Sequence, residues 1–249
     1  MNFAFLVSFL ASISTLLGAS VLFIDYRDKN KLISKSLSFA SGVMISVSIL
    51  DLIPSAVLGL NKNLYLFSSF LLTLSFMSIG IILSLIINKY LPTDFEKVKD
   101  SKLYKIGIFS MLAIILHNIP EGIATFLTTN SNAKLGITLA IAIALHNIPE
   151  GISISVPLYF GTGSKRKAIL YTFISGISEF FGSIIAYLFL KNIASDMFIN
   201  LLYALIAGIM ISLSIEELIP NANKYSEKTV VIKYILIGIA FMGIVHFIT

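Results

Sequence analysis

The sequence predicts an all-α polytopic membrane protein with eight transmembrane helices, and two observations carry that prediction. The 249 residues are 57% hydrophobic and only 12% charged, with a mean hydropathy of +0.93, whereas a soluble domain is about one quarter charged. The chain also contains eight apolar segments that are long enough to cross a bilayer, which takes about 20 residues. Because backbone groups in lipid must be paired within the segment, such segments form helices.

These segments place most of the chain in the membrane as a single transmembrane domain over 1–249. The first segment lacks a basic leader and is longer than a signal-peptide core, so we expect it to remain as the first helix. The absence of cysteine excludes a disulfide framework, a thiolate zinc site and a cysteine nucleophile. The predicted helices 1 to 8 are approximately 3–24, 36–60, 64–87, 106–128, 135–158, 168–190, 198–219 and 231–248.

The distribution of positive charge predicts the orientation in the membrane. The loops after helices 1, 3, 5 and 7 hold 15 of the 18 lysines and arginines, and the other loops hold Lys62, Lys134 and Lys191. Positive charge stays on the cytoplasmic side, so both termini are expected to be extracellular. Orientation and lipid head groups therefore explain the basic residues, and nucleic acid is not expected as a partner.

A six-residue segment, HNIPEG, occurs at 117–122 and again at 146–151, each time inside a predicted helix. In each copy the histidine and the glutamate are four residues apart and the asparagine and the glutamate are three apart, so they share a helix face. Such groups are costly in hydrocarbon, and their duplication predicts an intramembrane metal site. Each copy also has a proline that frees one backbone carbonyl beside the histidine and allows a local kink or unwinding. The predicted ligands are His117, Asn118, Glu121, His146, Asn147 and Glu150.

The ligand types narrow the choice of metal. Two imidazoles, two amides and two carboxylates are enough for two divalent cations bridged by the glutamates. Neutral imidazole and carboxylate suit zinc, iron(II), cobalt and manganese, and the lack of thiolate argues against copper(I). Glu179 on helix 6 is a further predicted ligand on the asparagine side, because small residues on its face, such as Gly182, allow close approach to a neighbouring helix.

Other polar residues within the predicted helices suggest an ion pathway. Asp51 lies in the outer part of helix 2 and is a candidate for an outer entrance, whereas Glu216 and Glu217 lie near the inner end of helix 7 and are candidates for a cytoplasmic exit. An interior lined with carboxylates favours positive ions. His246 has no partner at helical spacing and is expected at the membrane interface.

An internal repeat relates the two ends of the chain. Nine of 13 positions are identical between residues 42–54 in helix 2 and residues 208–220 in helix 7. Because eight spans make these helices run in opposite directions, the repeat is inverted, as are helices 4 and 5. The simplest arrangement has helices 1–3 and 6–8 as inverted halves and helices 4 and 5 as an inverted pair, which is typical of secondary transporters.

These motifs resemble the ZIP family of divalent-metal transporters, and within it the GufA-type branch, which includes bacterial ZupT-type zinc permeases. The resemblance is strongest over 116–182, and the twin HNIPEG motifs carry it. It implies eight helices with both termini outside, helices 1, 4, 5 and 6 moving against the others, and a homodimer. Many members have a histidine-rich loop after helix 3, but residues 88–105 contain no histidine here. The implied binuclear site has His117, Glu121, His146 and Glu150 at one ion, and Asn118, Glu121, Asn147, Glu150 and Glu179 at the other.

The expected function is uptake of a divalent metal across the cell membrane by a secondary transporter that is not an enzyme and needs no cofactor. Zinc is the first expected substrate, with Fe²⁺, Mn²⁺, Co²⁺ and Cd²⁺ as further substrates of the same ligands. One alternative is an intramembrane zinc-dependent hydrolase with a metal-activated water. The other is a membrane metal sensor, which would bind metal without flux.

Overall fold

The computed structural model describes residues 2–92, 98–190 and 195–248, and within them the chain forms eight long helices. Each is long and apolar enough to cross a membrane, which confirms the predicted all-α polytopic membrane protein. Lys97 and Lys191, two residues used to predict the orientation, lie outside the described residues. The helices are α1 (Phe3–Phe23), α2 (Lys29–Asn61), α3 (Leu66–Tyr90), α4 (Ser101–Ser131), α5 (Ala133–Thr162), α6 (Lys165–Phe189), α7 (Asp196–Tyr225) and α8 (Lys228–Ile248).

Six of the helices, α2 and α4 to α8, begin before the apolar segment that predicted them, and for α2 and α4 to α7 the structure shows why. The reason is a capping side chain in the polar loop, as at α2, where Asp28 Oδ1 accepts a hydrogen bond from the backbone N–H of Asn30 at 3.0 Å. Capping satisfies the N–H groups that a helix start leaves unpaired. An apolar segment marks only the lipid-covered part of a helix, so the predicted start lies after the first turn. The caps of the other four helices are Asp100, Asn132, Ser164 and Ser195.

The helices pack as one group of four and two pairs. Asn132 alone joins α4 to α5, so these two helices form an antiparallel hairpin, and α1 and α6 pack against it. α2 packs against α8, and α3 packs against α7. α3 and α8 bury the smallest shares of their residues, which fits positions in contact with lipid.

The α2–α8 and α3–α7 pairs are built in the same way. A Cβ added to Gly42 of α2 would meet the backbone carbonyl oxygen of Ile235 in α8 at 2.2 Å, and one added to Gly208 of α7 would meet that of Met77 in α3 at 2.1 Å. Gly42 and Gly208 are equivalent positions of the sequence repeat. These contacts agree with the predicted repeat, while its inverted topology stays a prediction.

Irregular backbone lies away from the HNIPEG prolines, in the repeated helices and at the C-terminal ends of α1 and α6. Pro120 lies within α4 and Pro149 within α5, and both helices continue through them without the unwinding that the sequence allowed. A π-helical turn instead interrupts α2 at Ser48–Leu52, and another interrupts α7 at Ser214–Leu218. Such turns frequently occur at functional positions. These two carry Asp51 and the Glu216–Glu217 pair.

Candidate metal site

Four side chains from the two HNIPEG segments meet between α4 and α5, and we call them the His/Glu cluster: His117, Glu121, His146 and Glu150. His146 Nε2 lies 3.0 Å from Glu121 Oε1. His117 Nε2 lies 3.1 Å from Glu150 Oε1 and 3.5 Å from Glu121 Oε2. All four side chains are buried. Each histidine therefore reaches the glutamate of the other helix, and Glu121 contacts both histidines.

The spacing of the ligand atoms in this cluster suits a small divalent cation. One ligand atom from each of His117, Glu121 and His146 can be chosen so that all three lie within 4.8 Å of one another. Zinc binds histidine nitrogen and carboxylate oxygen at about 2.0–2.2 Å in tetrahedral sites, so its ligand atoms are about 3.3 Å apart. The nitrogen-to-oxygen distances of 3.0 to 3.5 Å in the cluster bracket that value.

Asn118, Asn147 and Glu179 extend the site on its other side, toward α1 and α6, and we call them the asparagine side. Asn147 Nδ2 donates hydrogen bonds to Glu179 Oε2 at 2.8 Å and to the carbonyl oxygen of Ala11 in α1 at 3.2 Å. Asn118 Nδ2 donates to the carbonyl oxygen of Ser175 in α6 at 3.0 Å. Both amide nitrogens are therefore occupied, which fixes the orientation of the two side chains.

Several oxygens of these residues are buried without a hydrogen-bond donor. Among the residues that the structure describes, Asn118 Oδ1, Asn147 Oδ1, Glu150 Oε2 and Glu179 Oε1 have no hydrogen-bond partner. A buried polar atom left in this state costs about 1–3 kcal/mol. Amide and carboxylate oxygens are also ligands of divalent cations, so the asparagine side has the ligand chemistry for a second ion.

A cavity of about 450 Å³, here called the first cavity, reaches the site from one end of the bundle. Glu121 and His146 line its deep part, and Asp51 lines it farther out. There His246 Nδ1 and Asp51 Oδ1 make a hydrogen bond, although the two residues are 195 positions apart. The sequence placed Asp51 on the pathway but left His246 at the interface without a partner. Only helix packing could reveal this pair.

A second cavity, of about 570 Å³, lies away from the His/Glu cluster and is lined by Glu216, Glu217 and residues at the start of α4. Glu217 accepts hydrogen bonds from Asn88 Nδ2 at 2.5 Å and from Asn221 Nδ2 at 2.9 Å. The predicted entrance residue Asp51 therefore shares a cavity with Glu121 and His146 of the cluster, whereas the predicted exit residues Glu216 and Glu217 do not. The entrance and exit residues thus line separate cavities.

A membrane protein passes small cations through the bilayer by binding them to imidazoles and carboxylates inside its helix bundle. Here such groups are buried in a polytopic bundle and are reached from its surface by a cavity. Fold and site therefore define a cation-transport protein. The family is more specific. The chain belongs to the ZIP family, whose model, described as ZIP Zinc transporter, matches residues 93–246. As a member of a transporter family the chain is a multi-pass protein of the cell membrane and not an enzyme, and the intramembrane hydrolase was the wrong alternative.

Individual relatives match the chain almost from end to end. The zinc transporter ZupT of Streptococcus mutans is 38% identical over 252 residues, which cover 97% of this chain and 95% of the relative. That of Oceanobacillus iheyensis is 38% identical over 259 residues, covering 98% and 97%. That of Clostridium perfringens is 36% identical over 273 residues, covering 97% and 94%. The similarity therefore extends over all eight helices and not only the HNIPEG region.

Proposed function

We propose that this protein transports Zn²⁺ into the cell through a binuclear site formed by α4, α5 and α6. The observation that carries the proposal is the buried His/Glu cluster at the deep end of the first cavity. The names of the relatives, zinc transporter ZupT, point to the same substrate. Fe²⁺, Mn²⁺, Co²⁺ and Cd²⁺ are further proposed substrates, because imidazole and carboxylate ligands accept them too.

The two ions would divide the ligands between them. The His/Glu cluster supplies nitrogen and oxygen ligands to the first ion. The asparagine side supplies the amide oxygens of Asn118 and Asn147 and the carboxylate of Glu179 to the second. Glu121 and Glu150 of the His/Glu cluster would bridge the two ions, since each carboxylate has two oxygens. A shared bridge lets one ion weaken the binding of the other, which favours release during transport.

The cavities give this site a route to each side of the membrane. In the predicted orientation the linker between α4 and α5 is extracellular, so the first cavity faces outward and Asp51 with His246 receives the ion there. The second cavity then faces the cytoplasm, with Glu216 and Glu217 at the point of release. The first cavity contacts the His/Glu cluster and the second does not, so this conformation is open outward.

Zinc flux into proteoliposomes tests the proposal directly. Purified protein is reconstituted with a zinc-sensitive dye inside, and a pH-sensitive dye in a parallel sample reports whether protons move with the metal. We expect zinc influx with the natural sequence and influx at the level of protein-free liposomes with Glu150→Ala or Glu121→Ala. Glu227→Ala is the matched control, because Glu227 is an exposed carboxylate in the α7–α8 linker.

The outcomes separate the remaining alternatives. Undiminished influx in both Glu150→Ala and Glu121→Ala, in folded and monodisperse protein, would exclude the proposed site. Zinc binding by the natural sequence without influx would favour the metal sensor. Loss of influx in Glu227→Ala as well would mean that reconstitution, and not ion binding, is limiting.

A further inference from the structure

The two cavities are separated by a closed segment, and α4 and α7 are the helices that line both of them. On α4, Glu121 lines the first cavity and Ile106 lines the second. On α7, Tyr203 lines the first cavity, and Glu217 lines the second. These two helices pack against each other. Both helices therefore run from the first cavity, at Glu121 and Tyr203, to the second, at Ile106 and Glu217, and the parts of α4 and α7 between these residues are here called the closed segment.

Two serines in this closed segment differ from the usual buried serine of a helix. Helical serines commonly donate to a backbone carbonyl one turn earlier, as the fully buried Ser41 does to the carbonyl oxygen of Leu37 at 2.6 Å. Ser110 on α4 and Ser214 on α7 are also fully buried, but their hydroxyls have no hydrogen-bond partner among the described residues. A buried hydroxyl in this state is destabilising. Other buried serines, such as Ser34 and Ser84, are also unpaired, so the position of Ser110 and Ser214 between the two cavities is what distinguishes them.

Helix geometry places both serines on faces that continue from the site to the second cavity. Ser110 is seven residues before His117 and four after Ile106, and these separations keep all three on one face of α4. Ser214 is eleven residues after Tyr203, which is close to three full turns of helix. It also begins the π-helical turn that carries Glu217.

The internal repeat supplies a comparison for Ser214. Its equivalent in α2 is Ser48, which begins the π-helical turn with Asp51. Ser48 donates its hydroxyl to the carbonyl oxygen of Met44 at 2.9 Å, so it is paired where Ser214 is not. The free hydroxyl thus occurs in the π-helical turn beside the second cavity, on the side that is closed in this conformation.

We propose that Ser110 and Ser214 line the closed half of the ion route and that their hydroxyl oxygens replace water ligands of the divalent cation as it passes from His117 toward Glu217. This inference rests on the proposed transport function. A serine hydroxyl is a neutral oxygen ligand like the water that it would replace, and weak neutral ligands allow the ion to leave again, as conduction requires. The two serines are therefore residues of the inner pathway and not ligands of the resting site.

The cysteine-free sequence allows a selective test. Ser110→Cys, Ser214→Cys and the control Ser41→Cys are each reconstituted, and a small cationic methanethiosulfonate is applied from the side of the second cavity. We expect the first two thiols to react at least tenfold faster than the third, because only they line a route that opens during transport. Zinc should slow their reaction by occupying the route, and the attached group should abolish zinc influx.

A second measurement uses alanine variants, so that the conclusion does not depend on cysteines that themselves disturb transport. Ser110→Ala and Ser214→Ala should lower the maximal rate of zinc influx by about three- to tenfold, the value of one hydrogen-bond-strength interaction, with the half-saturating zinc concentration unchanged. Ser41→Ala should transport normally. The inference would be overturned if cysteines at positions 110 and 214 reacted no faster than a cysteine at position 41. It would also be overturned if zinc influx remained intact after labelling at 110 or 214. Both measurements are made after zinc influx that depends on Glu150 has been shown. A failure of the proposed transport function is therefore detected first and separately from a failure of this inference.

Discussion

At the scale of single residues, the site depends on glutamates that serve more than one neighbour. Glu121 contacts His117 on its own helix and His146 on the next one. Spacing along the sequence predicts the first contact, because residues four apart share a helix face. The second contact depends on the rotation of α4 and α5 relative to each other. The repeated motif indicated only that each helix has a face with the same residues.

Glu179 gives the sharpest residue-scale prediction. Glu179→Gln keeps the size of the side chain but replaces one carboxylate oxygen of the asparagine side with an amide. We expect the protein to bind one zinc ion tightly instead of two. The affinity for the second ion should fall by more than the roughly 10–100-fold loss caused by changing a residue that only supports a ligand. Calorimetric titration of the purified protein measures both quantities.

Glu227→Gln, the same change at an exposed carboxylate, serves as the control for this titration and should bind two ions. Two ions bound with unchanged affinity by Glu179→Gln would show that Glu179 only accepts the hydrogen bond of Asn147. The hydrogen bond would then orient the amide without Glu179 contributing a ligand.

The Asp51–His246 pair shows where sequence reasoning fails at this scale. Neither residue has a partner at helical spacing on its own helix, and their side chains remain partly exposed, at 33% and 43%. Their contact follows from the packing of α2 against α8. A carboxylate and an imidazole brought together only by tertiary packing leave no local pattern in the sequence.

At the scale of helices, close backbone contact fixes the relative positions of the ligand-bearing elements. A Cβ added to Gly122 of α4 would lie 1.7 Å from the carbonyl oxygen of Glu179 in α6. Gly122 immediately follows Glu121, so the same contact sets the separation of two proposed ligands. The sequence predicted close approach from the small residues on α6, but it could not identify the facing residue on α4.

Gly122→Ala should therefore destabilise the protein and disturb the second ion site together. Because the obstructing atom is backbone, the helices must move apart, and overpacking of this kind costs about 1–3 kcal/mol. We expect a lower melting temperature in detergent and weaker binding of the second zinc ion. Gly243→Ala is the control, since an added methyl at this position in α8 meets no described atom within 4 Å. Equal melting temperatures for the two variants would contradict the packing argument.

Helix boundaries and turns were predicted to different degrees. Hydropathy located the apolar centre of all eight helices but not their first turns, which Asp28 and similar caps extend into the polar loops. The π-helical turns at Ser48–Leu52 and Ser214–Leu218 were not predicted, because their sequences, SILDL and SIEEL, are equally compatible with a regular α-helix. Pro54 and Pro220, which follow them, were the available local signal.

At the scale of the whole molecule, the two cavities give the protein two distinct ends. The first cavity includes Leu135 and Thr138 near the start of α5, and the second includes Lys102 and Lys105 near the start of α4. α4 and α5 are antiparallel, so these groups lie at opposite ends of the hairpin. The excess of lysine and arginine around the second cavity then predicts that it faces the cytoplasm.

Site-directed labelling of intact cells tests this orientation and, with it, the direction in which the structure is open. Lys134→Cys and Lys167→Cys introduce single thiols at exposed positions in the first turns of α5 and α6. A membrane-impermeant maleimide should label Lys134→Cys in intact cells and Lys167→Cys only after the membrane is permeabilised. The physical reason is the cost of moving the basic start of α6, with Lys165, Arg166 and Lys167 together, across the bilayer. The reverse labelling pattern would place the first cavity, and the Asp51–His246 pair within it, on the cytoplasmic side, and this conformation would then be the one that releases zinc.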